Sequence, residues 1–343
     1  MKKYKFIKLA LFLISITLLF SSCNYQMKKK GENSKFYNYY NSSFNFAKSN
    51  MQTEEIFSSI KIINSIAFYK TSFFSLERKI KKVTPENFKN DVVGDSYDTK
   101  TSSGTASIIY NNNNKLALLT CTHIVDFPDT IYGYYESNNQ KYISSISIKE
   151  RQDNYINDLI DGNKLEVIIS DSENDIAILT KKTSPTIDKY RHIVLKHDFC
   201  DVNKISPGLQ IYIFGYPKNK KIITQGIIGN IEKNNYLIDS QFNRGQSGGM
   251  VFVTRADYPN FELLGMGKSS LADFHLLLTP NDNYVSQNYK LTIPYRDEIY
   301  LKNISFINYG LTNVIPIKYI RNFIKENKKA LEKKGYDMNY FFK

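Results

Sequence analysis

The segment Asn243-Arg244-Gly245-Gln246-Ser247-Gly248-Gly249 places one serine between glycines, and the apolar run Met250-Val251-Phe252-Val253 follows it directly. Glycines on both sides of a residue let the backbone adopt positive φ and let another chain approach closely. An exposed nucleophile needs this freedom, because the backbone N–H groups around it must also point at a developing oxyanion. A Gly-Ser-Gly-Gly turn also joins strands in proteins without such chemistry, so the rest of the chain has to decide between the two interpretations.

Two further polar residues lie at the ends of apolar runs. His123 comes shortly after Leu116-Ala117-Leu118-Leu119, and Asp175 directly precedes Ile176-Ala177-Ile178-Leu179. A histidine just past a buried strand is held rigidly and can face a cleft, whereas a partly buried carboxylate needs a partner. Taken alone, His123 also fits a core or surface histidine, and Asp175 a turn cap. The chain order His123, Asp175, Ser247 is that of the chymotrypsin triad and differs from the orders in α/β-hydrolases and subtilisin.

Short apolar runs separated by Gly, Pro and Asn turns predict an all-β fold of two closed antiparallel barrels. The Asn-rich stretch 111–114 between two β-rich runs predicts a hairpin. A C-terminal helix is predicted from residue 316, since Pro suits a first helical position and an apolar stripe follows at helical spacing. That stripe consists of Ile317, Ile320, Ile324 and Leu331. Residues 79–101 are predicted as a loop, residues 126–165 as a polar, Tyr-rich stretch that includes an extended surface loop, and residues 271–310 as an insertion of unknown form.

The N-terminus has the three parts of a secretory signal. A lysine-rich head precedes the uncharged apolar run 9–20, and Ser21-Ser22 then precede Cys23. The run is too short for an ordinary membrane span. The small-small-Cys ending resembles a bacterial lipoprotein signal, which implies that Cys23 carries lipid and anchors an exported protein in the cell envelope. The alternative is a plain signal peptide followed by an incidental cysteine.

Charge and composition exclude several kinds of partner. The formal net charge is +13, and removing residues 1–22 takes away four lysines and no acid, which leaves 13 − 4 = +9. The remaining charge is dispersed, so nucleic-acid binding is not expected; Lys28-Lys29-Lys30 beside the anchor suits an anionic membrane surface. No Cys/His cluster has zinc-ligand spacing, so neither metal nor cofactor is expected. A disulfide between Cys121 and Cys200 stays open.

Several segments together resemble the chymotrypsin-fold (trypsin-like) serine proteases, most like the bacterial HtrA-type branch but without a PDZ domain. The resemblance extends over residues 100–325. The segments are Ser103-Gly104-Thr105, Leu119-Thr120-Cys121-Thr122-His123-Ile124-Val125, Asn174-Asp175-Ile176-Ala177-Ile178-Leu179, Phe214-Gly215-Tyr216-Pro217, Thr224-Gln225-Gly226-Ile227-Ile228 and the serine segment 243–249.

The resemblance implies a role for each site residue, in a crevice between two six-stranded barrels. His123 would act as general base, Asp175 would orient it, and Ser247 would be the nucleophile. The backbone N–H groups of Gly245 and Ser247 would form the oxyanion hole. The substrate pocket would involve residues 241–244 and the strand near residues 267–270, with Gln241, Arg244, Gly267 and Ser269 as the candidate residues. Gln246 replaces the aspartate that pairs with a newly cut N-terminus in digestive relatives, so activation by N-terminal cleavage is not expected.

The sequence therefore predicts a serine endopeptidase of the cell envelope that acts on a protein or peptide substrate. The alternative is a catalytically silent binding module that keeps the protease fold. The predicted organisation is a signal peptide (1–22), a polar tether (23–55), an N-terminal region with the first barrel (56–190), the second barrel (191–315) and the C-terminal helix (316–343).

Overall fold

The computed structural model describes residues 46–157, 164–182, 193–254, 261–280 and 299–342. Cys23, the predicted signal peptide and most of the predicted tether lie outside these residues. Helix α1 (Phe46–Ser59) leads directly into the first strand, so the folded body begins before the predicted boundary at residue 56. Within the described ranges, no helix is long and apolar enough to cross a membrane.

The first sheet is antiparallel and has seven strands in the order β4-β5-β1-β2-β3-β7-β6. An isolated bridge between Asn154 and Leu165 joins β5 to the chain just before β6, and this contact curls the sheet into a barrel. The strands are β1 (Ile60–Phe74), β2 (Val92–Asn112), β3 (Lys115–Thr120), β4 (Thr130–Ser137), β5 (Gln140–Ile156), β6 (Glu166–Asp171) and β7 (Ile176–Lys182). Two short helices interrupt the order, α2 (Pro85–Asn90) and α3 (Thr122–Val125).

The second sheet is a closed barrel with the strand order β10-β13-β12-β11-β8-β9. Closure pairs every strand and leaves no open edge in the barrel itself. Its strands are β8 (Gln210–Gly215), β9 (Ile222–Ile231), β10 (Tyr236–Asp239), β11 (Met250–Thr254), β12 (Phe261–Pro280) and β13 (Ile299–Pro316). The predicted all-β architecture of two antiparallel barrels is therefore confirmed.

The apolar runs of the sequence form the centre of this structure. Every side chain of Leu116-Ala117-Leu118-Leu119 in β3 and of Ile176-Ala177-Ile178-Leu179 in β7 is fully buried. These adjacent strands are buried on both faces, which explains why their sequences are continuously apolar rather than alternating. Most buried apolar side chains of both barrels and of the C-terminal helices belong to one continuous cluster, so the barrels share a core; a smaller cluster around Phe74 and Ile143 lies in the outer part of the first sheet.

The predicted C-terminal helix is confirmed, although it is shorter than the apolar stripe indicated. Helix α4 (Ile317–Glu326) buries the first three stripe residues, and a turn at Asn327 separates it from α5 (Lys328–Lys333), which buries Leu331. Gly335 follows at φ 84°, a left-handed conformation that suits glycine and ends the helical segment. The last helix is α6 (Asn339–Phe342).

The Asn-rich hairpin is confirmed, because Asn113 and Asn114 adopt φ of 51° and 57° in the tight turn between β2 and β3. The loop predicted for residues 79–101 is wrong, and the structure gives a form to two further stretches for which the sequence showed no clear pattern. Residues 79–101 contain α2 and the first half of β2, residues 126–165 contain β4 and β5, and residues 271–310 contribute to β12 and β13. These strands extend beyond the barrels, in the first sheet as the neighbouring strands β4-β5-β1-β2 and in the second as the outer part of the β12–β13 pair, so much of their length is exposed.

Candidate active site

His123 and Asp175 are brought together by the pairing of β3 with β7, in which Thr120 lies opposite Ala177. His123 sits in the single turn of α3 directly after β3, and Asp175 immediately precedes β7. The two side chains meet with His123 Nδ1 and Asp175 Oδ2 2.8 Å apart, and Asp175 Oδ1 accepts a hydrogen bond from the His123 backbone N–H at 2.9 Å. The carboxylate therefore fixes both the ring and the backbone of the histidine.

The backbone of Asp175 explains how the carboxylate reaches His123. Its φ is 59°, in the left-handed region that Asp and Asn tolerate better than most residues. The carbonyl oxygen of Asp175 accepts a hydrogen bond from Thr122 N–H at 3.3 Å, so this turn is tied to the α3 turn at two levels. Asp175 is only 5% exposed, whereas the His123 side chain is 45% exposed. A buried carboxylate thus holds an imidazole that faces solvent.

The loop carrying Ser247 is held by backbone hydrogen bonds to itself and to β12. Gln246 N–H donates to Asn243 O at 3.0 Å, and Gly248 N–H donates to Gly267 O at 2.8 Å. Gly248 has φ 83°, and a Cβ there would lie 1.9 Å from the carbonyl oxygen of Thr105. Glycine is therefore required at this position both by conformation and by space.

Thr105 of the first barrel holds this loop of the second barrel. Its backbone N–H donates to Ser247 O at 2.7 Å, and its hydroxyl donates to Gly245 O at 2.7 Å. Thr120 Oγ1 in turn donates to Thr105 O at 2.7 Å, which fixes the threonine within its own barrel. The position of Ser247 consequently depends on contacts with the barrel that carries His123.

The backbone N–H groups expected to stabilise an oxyanion are unengaged. Arg244 O accepts a hydrogen bond from Lys218 N–H at 2.9 Å, and in a trans peptide this directs Gly245 N–H the opposite way. In the part of the chain that the structure describes, neither Gly245 N–H nor Ser247 N–H donates to a protein acceptor. Gly245 has φ 97°, and a Cβ there would lie 2.5 Å from Tyr216 O, so only glycine fits this conformation.

Gln246 braces the loop from within. Its side chain is fully buried, its Oε1 accepts from Asn243 N–H at 2.7 Å, and its Nε2 donates to Thr224 Oγ1 at 2.8 Å. Both polar atoms of the amide are thereby satisfied by the protein itself. The sequence indicated that this neutral residue needs no severed N-terminus, but it did not identify Thr224 as the partner.

The structure does not bring His123 and Ser247 into a hydrogen bond. Among the described residues, no hydrogen bond joins the His123 ring to Ser247 Oγ. The two segments are nevertheless neighbours at Gly104, where a Cβ would lie 2.2 Å from Ile124 Cδ1 and 2.9 Å from Ser247 O. Bonds of this kind are often long without substrate and shorten only when it binds.

The four predicted substrate-pocket residues fall into two groups. Gln241 and Arg244 are exposed in the serine loop, whereas Gly267 is buried in β12 and Ser269 is half-buried two residues further on. Gly267 also donates to Gly249 O at 2.8 Å, so its backbone forms part of the floor beneath the loop.

Phe242 lies inside the segment predicted for the substrate pocket, but the sequence did not single it out. It is 7% exposed, and a Cβ on Gly267 would lie 2.6 Å from Phe242 Cε2, so the ring lies directly against Gly267. Ser270 Oγ donates to Phe242 O at 3.1 Å and fixes the backbone there. The ring occupies space between the serine loop and β12. The available signal was one large apolar side chain in an otherwise polar stretch.

Cys121 lies beside the pair, fully buried, with its Sγ donating to Gly267 O at 3.4 Å. Burial, and secondarily the negative charge of Asp175, raises the pKa of its thiol well above the usual range, so the thiol stays neutral. Cys121, His123 and Asp175 place ligand atoms within 4.8 Å of one another. Two ligands of tetrahedral zinc would lie ~3.3 Å apart, whereas Nδ1 and Oδ2 are 2.8 Å apart. The geometry is that of a hydrogen-bonded pair.

The open question of a disulfide is resolved by the structure, because Cys121 and Cys200 are both free and buried. Burial raises the pKa of the Cys200 thiol to about 12.

No family model matches the chain, and no curated protein is similar to it. Solved structures similar to the chain include three proteases. The Rv3671c protease from M. tuberculosis, in its active form, has 13% identity and a TM-score of 0.38, with 83% of this chain and 87% of that chain covered. Deg5 has 11% identity and a TM-score of 0.35, with 67% and 88% covered. The thermostable serine protease AL20 from an extremophilic microorganism has 11% identity and a TM-score of 0.36, with 78% and 96% covered. Likeness at this level assigns no role to any residue.

Proposed function

We propose that the chain is a serine endopeptidase in which Ser247 is the nucleophile, His123 the general base and Asp175 the orienting carboxylate. The observation that carries the proposal is the 2.8 Å contact between His123 Nδ1 and the buried Asp175. With Nδ1 engaged, the exposed ring offers Nε2 to the cleft in the tautomer that accepts a proton. The loop of Ser247 supports the same reading, because its two candidate oxyanion donors are free.

The residues suggest a two-step acyl transfer. Ser247 Oγ attacks the peptide carbonyl carbon while His123 Nε2 takes the hydroxyl proton, and His123 then returns that proton to the leaving amine. Gly245 N–H and Ser247 N–H would hold the oxyanion, and one such donor is worth roughly 3–4 kcal/mol in the transition state. A water molecule, deprotonated by the same histidine, would then hydrolyse the acyl-enzyme.

The anchoring of the enzyme is part of the same proposal. The N-terminal signal and Cys23 support an exported lipoprotein of the cell envelope that acts on protein or peptide substrates and does not bind nucleic acid. The second candidate is a catalytically silent module with a protease fold. Two observations favour it: the missing hydrogen bond between His123 and Ser247, and the Phe242 ring against Gly267.

Labelling with a fluorophosphonate separates the two candidates. The wild-type protein should be labelled, and Ser247→Ala should not, while Ser206→Ala, an exposed serine far along the chain from the loop, serves as the matched control. Absence of labelling at Ser247 in a folded protein would overturn the enzyme and leave the silent module. Incorporation of labelled palmitate in a bacterial host, compared with Cys23→Ala, tests the anchor separately.

A further inference from the structure

The outer parts of β12 and β13 form a two-stranded ribbon, defined here as residues 272–280 and 299–307. The strands pair continuously from Ala272 opposite Ile307 to Pro280 opposite Ile299, without a bulge. Side chains of residues directly opposite each other lie on the same face of an antiparallel pair, and successive residues alternate between faces. The register therefore assigns every position of the ribbon to one of two faces.

One face of the ribbon, here called the apolar face, carries large hydrophobic side chains that nothing in the described chain covers. Their exposures run from 55% to 73%. They are Phe274 at 70%, Leu276 at 64%, Leu278 at 73%, Ile299 at 55% and Leu301 at 65%. Hydrophobic residues scattered singly on a surface need no explanation, but five on one face of one ribbon mark an interaction surface.

The opposite, mixed face has a different character. The register places the polar residues Asp273, His275, Thr279 and Lys302 there, together with Tyr300, Ile304 and Phe306, and Phe306 is 50% exposed. Leu277, on the same strand as Leu276 and Leu278 but on this face, is 39% exposed. The apolar face has Asn303 and Ser305 as its polar residues, so the two faces of the ribbon differ in polarity, although neither is uniform. A partner that buried both faces would also remove the polar side chains of the mixed face from water, which costs free energy. The partner is therefore expected to cover the apolar face alone.

We propose that the apolar face lies on a lipid bilayer. A two-stranded ribbon has unpaired N–H and C=O groups along its outer edges, which prevents it from crossing hydrocarbon but not from lying in the headgroup region. An amphipathic element binds there with its apolar side towards the acyl chains and its polar side towards water. The apolar and mixed faces meet these two requirements.

The chain outside the described residues favours this occupant over a soluble partner. Residues 24–45 join Cys23 to α1, and a fully extended chain of that length spans at most ~80 Å. If Cys23 is lipidated, the start of α1 stays within that distance of the bilayer, which raises the effective concentration of the folded body, and with it the ribbon, near the membrane. This step rests on the proposed anchor; the amphipathic pattern of the ribbon does not.

The test uses the mature chain without acylation, so that the lipid anchor makes no contribution. Binding to vesicles of phosphatidylethanolamine and phosphatidylglycerol (3:1) is measured by sedimentation. The triple variant Leu276→Ser, Leu278→Ser, Leu301→Ser should bind at least about tenfold more weakly than the wild-type chain. Leu277→Ser, on the mixed face, should bind within about twofold of it. All substituted positions are solvent-exposed, and far-UV circular dichroism checks that each variant is folded.

A second measurement uses the absence of tryptophan from the chain. Leu278→Trp introduces a single tryptophan on the apolar face. In the presence of vesicles its emission maximum should shift to the blue, and brominated lipids should quench its fluorescence. Leu277→Trp should show neither effect.

Wild-type vesicle binding by the triple variant would overturn the proposal. Equal fluorescence responses of the tryptophans at positions 277 and 278 would overturn it as well. A concentration-dependent dimer that the triple variant abolishes would show instead that a second copy of the chain covers the apolar face. Fluorophosphonate labelling of the same variants reports on Ser247 alone, so failure here and failure of the proposed peptidase are distinguishable.

Discussion

Gln246 and Thr224 are joined by a 2.8 Å hydrogen bond from Nε2 to Oγ1, which ties the residue before the candidate nucleophile to strand β9. The other amide atom of Gln246 accepts the backbone N–H of Asn243, so one buried side chain closes the loop and attaches it to the barrel. The free Gly245 N–H lies between these two attachments in the chain.

Replacing Gln246 should reduce the reactivity of Ser247 strongly and the free energy of unfolding only moderately. In Gln246→Ala the Asn243 N–H and the Thr224 hydroxyl lose their partner and the loop can leave its conformation, so the fluorophosphonate labelling rate should fall by about 10²-fold, as for the loss of one oxyanion donor. Thr224→Val keeps the shape of the side chain and removes only one of the two bonds, so its effect should be smaller. Wild-type rates in both variants would show that the loop is held without Gln246.

Asp175→Asn should keep the fold and remove most of the activity. Asparagine tolerates the left-handed backbone at φ 59° and still accepts the His123 backbone N–H, but it favours the wrong tautomer of the ring. By the logic of the Ser-His-Asp arrangement, kcat on a peptide substrate should fall about 10⁴-fold. Asp175→Ala should lose as much activity and, in urea unfolding, about 1–2 kcal/mol of stability, since alanine resists left-handed φ. A loss below tenfold in Asp175→Asn would contradict the assigned role.

Two glycines of strand β2 offer a matched pair. A Cβ on Gly104 would lie 2.9 Å from Ser247 O, whereas a Cβ on Gly94 would meet nothing within 4 Å. Gly104→Ala should therefore displace the serine loop, cost about 1–3 kcal/mol in the free energy of unfolding and slow labelling of Ser247. Gly94→Ala should leave both unchanged or raise stability slightly. Equal behaviour of the two variants would show that the loop does not depend on its contact with β2.

The lowered pKa of His197 predicts that the free energy of unfolding decreases in acid. Burial lowers the pKa of its imidazole to about 4, and the ring lies 5.2 Å from that of Phe252 with Nε2 unpaired. The unfolded chain binds the proton from about pH 6.5, so the neutral folded form loses stability as the pH falls from about 6.5 to 4. The loss over this window should approach about 3 kcal/mol.

His197→Phe keeps a ring against Phe252 and removes the titrating group, so urea unfolding of this variant should depend less on pH across the same window. An unchanged pH dependence would place the acid sensitivity at other groups.

The predictions from sequence succeeded where a strand is buried on both faces or where geometry restricts residue choice. The runs in β3 and β7 are continuously apolar, and the glycines at 245 and 248 occupy left-handed conformations beside carbonyl oxygens. Prediction from sequence failed for the exposed parts of strands that extend beyond the barrels. The first half of β2 pairs with β1 along its length through backbone hydrogen bonds, which do not depend on side-chain pattern.

Contacts between side chains that are distant along the chain also could not be predicted from the sequence. Phe242 reaches Gly267 only because the serine loop and β12 are neighbours in the closed barrel. The ribbon of β12 and β13 was hidden for another reason: its apolar residues are unpaired with any core, so they predict neither a buried strand nor a helix.

Because Thr105 donates two hydrogen bonds to the serine loop, the reactivity of Ser247 should depend on whether the two barrels are correctly assembled. A probe that reacts with this serine also reports on the contact between the barrels, because two hydrogen bonds to the loop come from the other barrel. If the chain were produced as two separate fragments, divided in the connector after β7, labelling should reappear only when the fragments recombine. A chain in which only one barrel had formed should therefore not be labelled at Ser247.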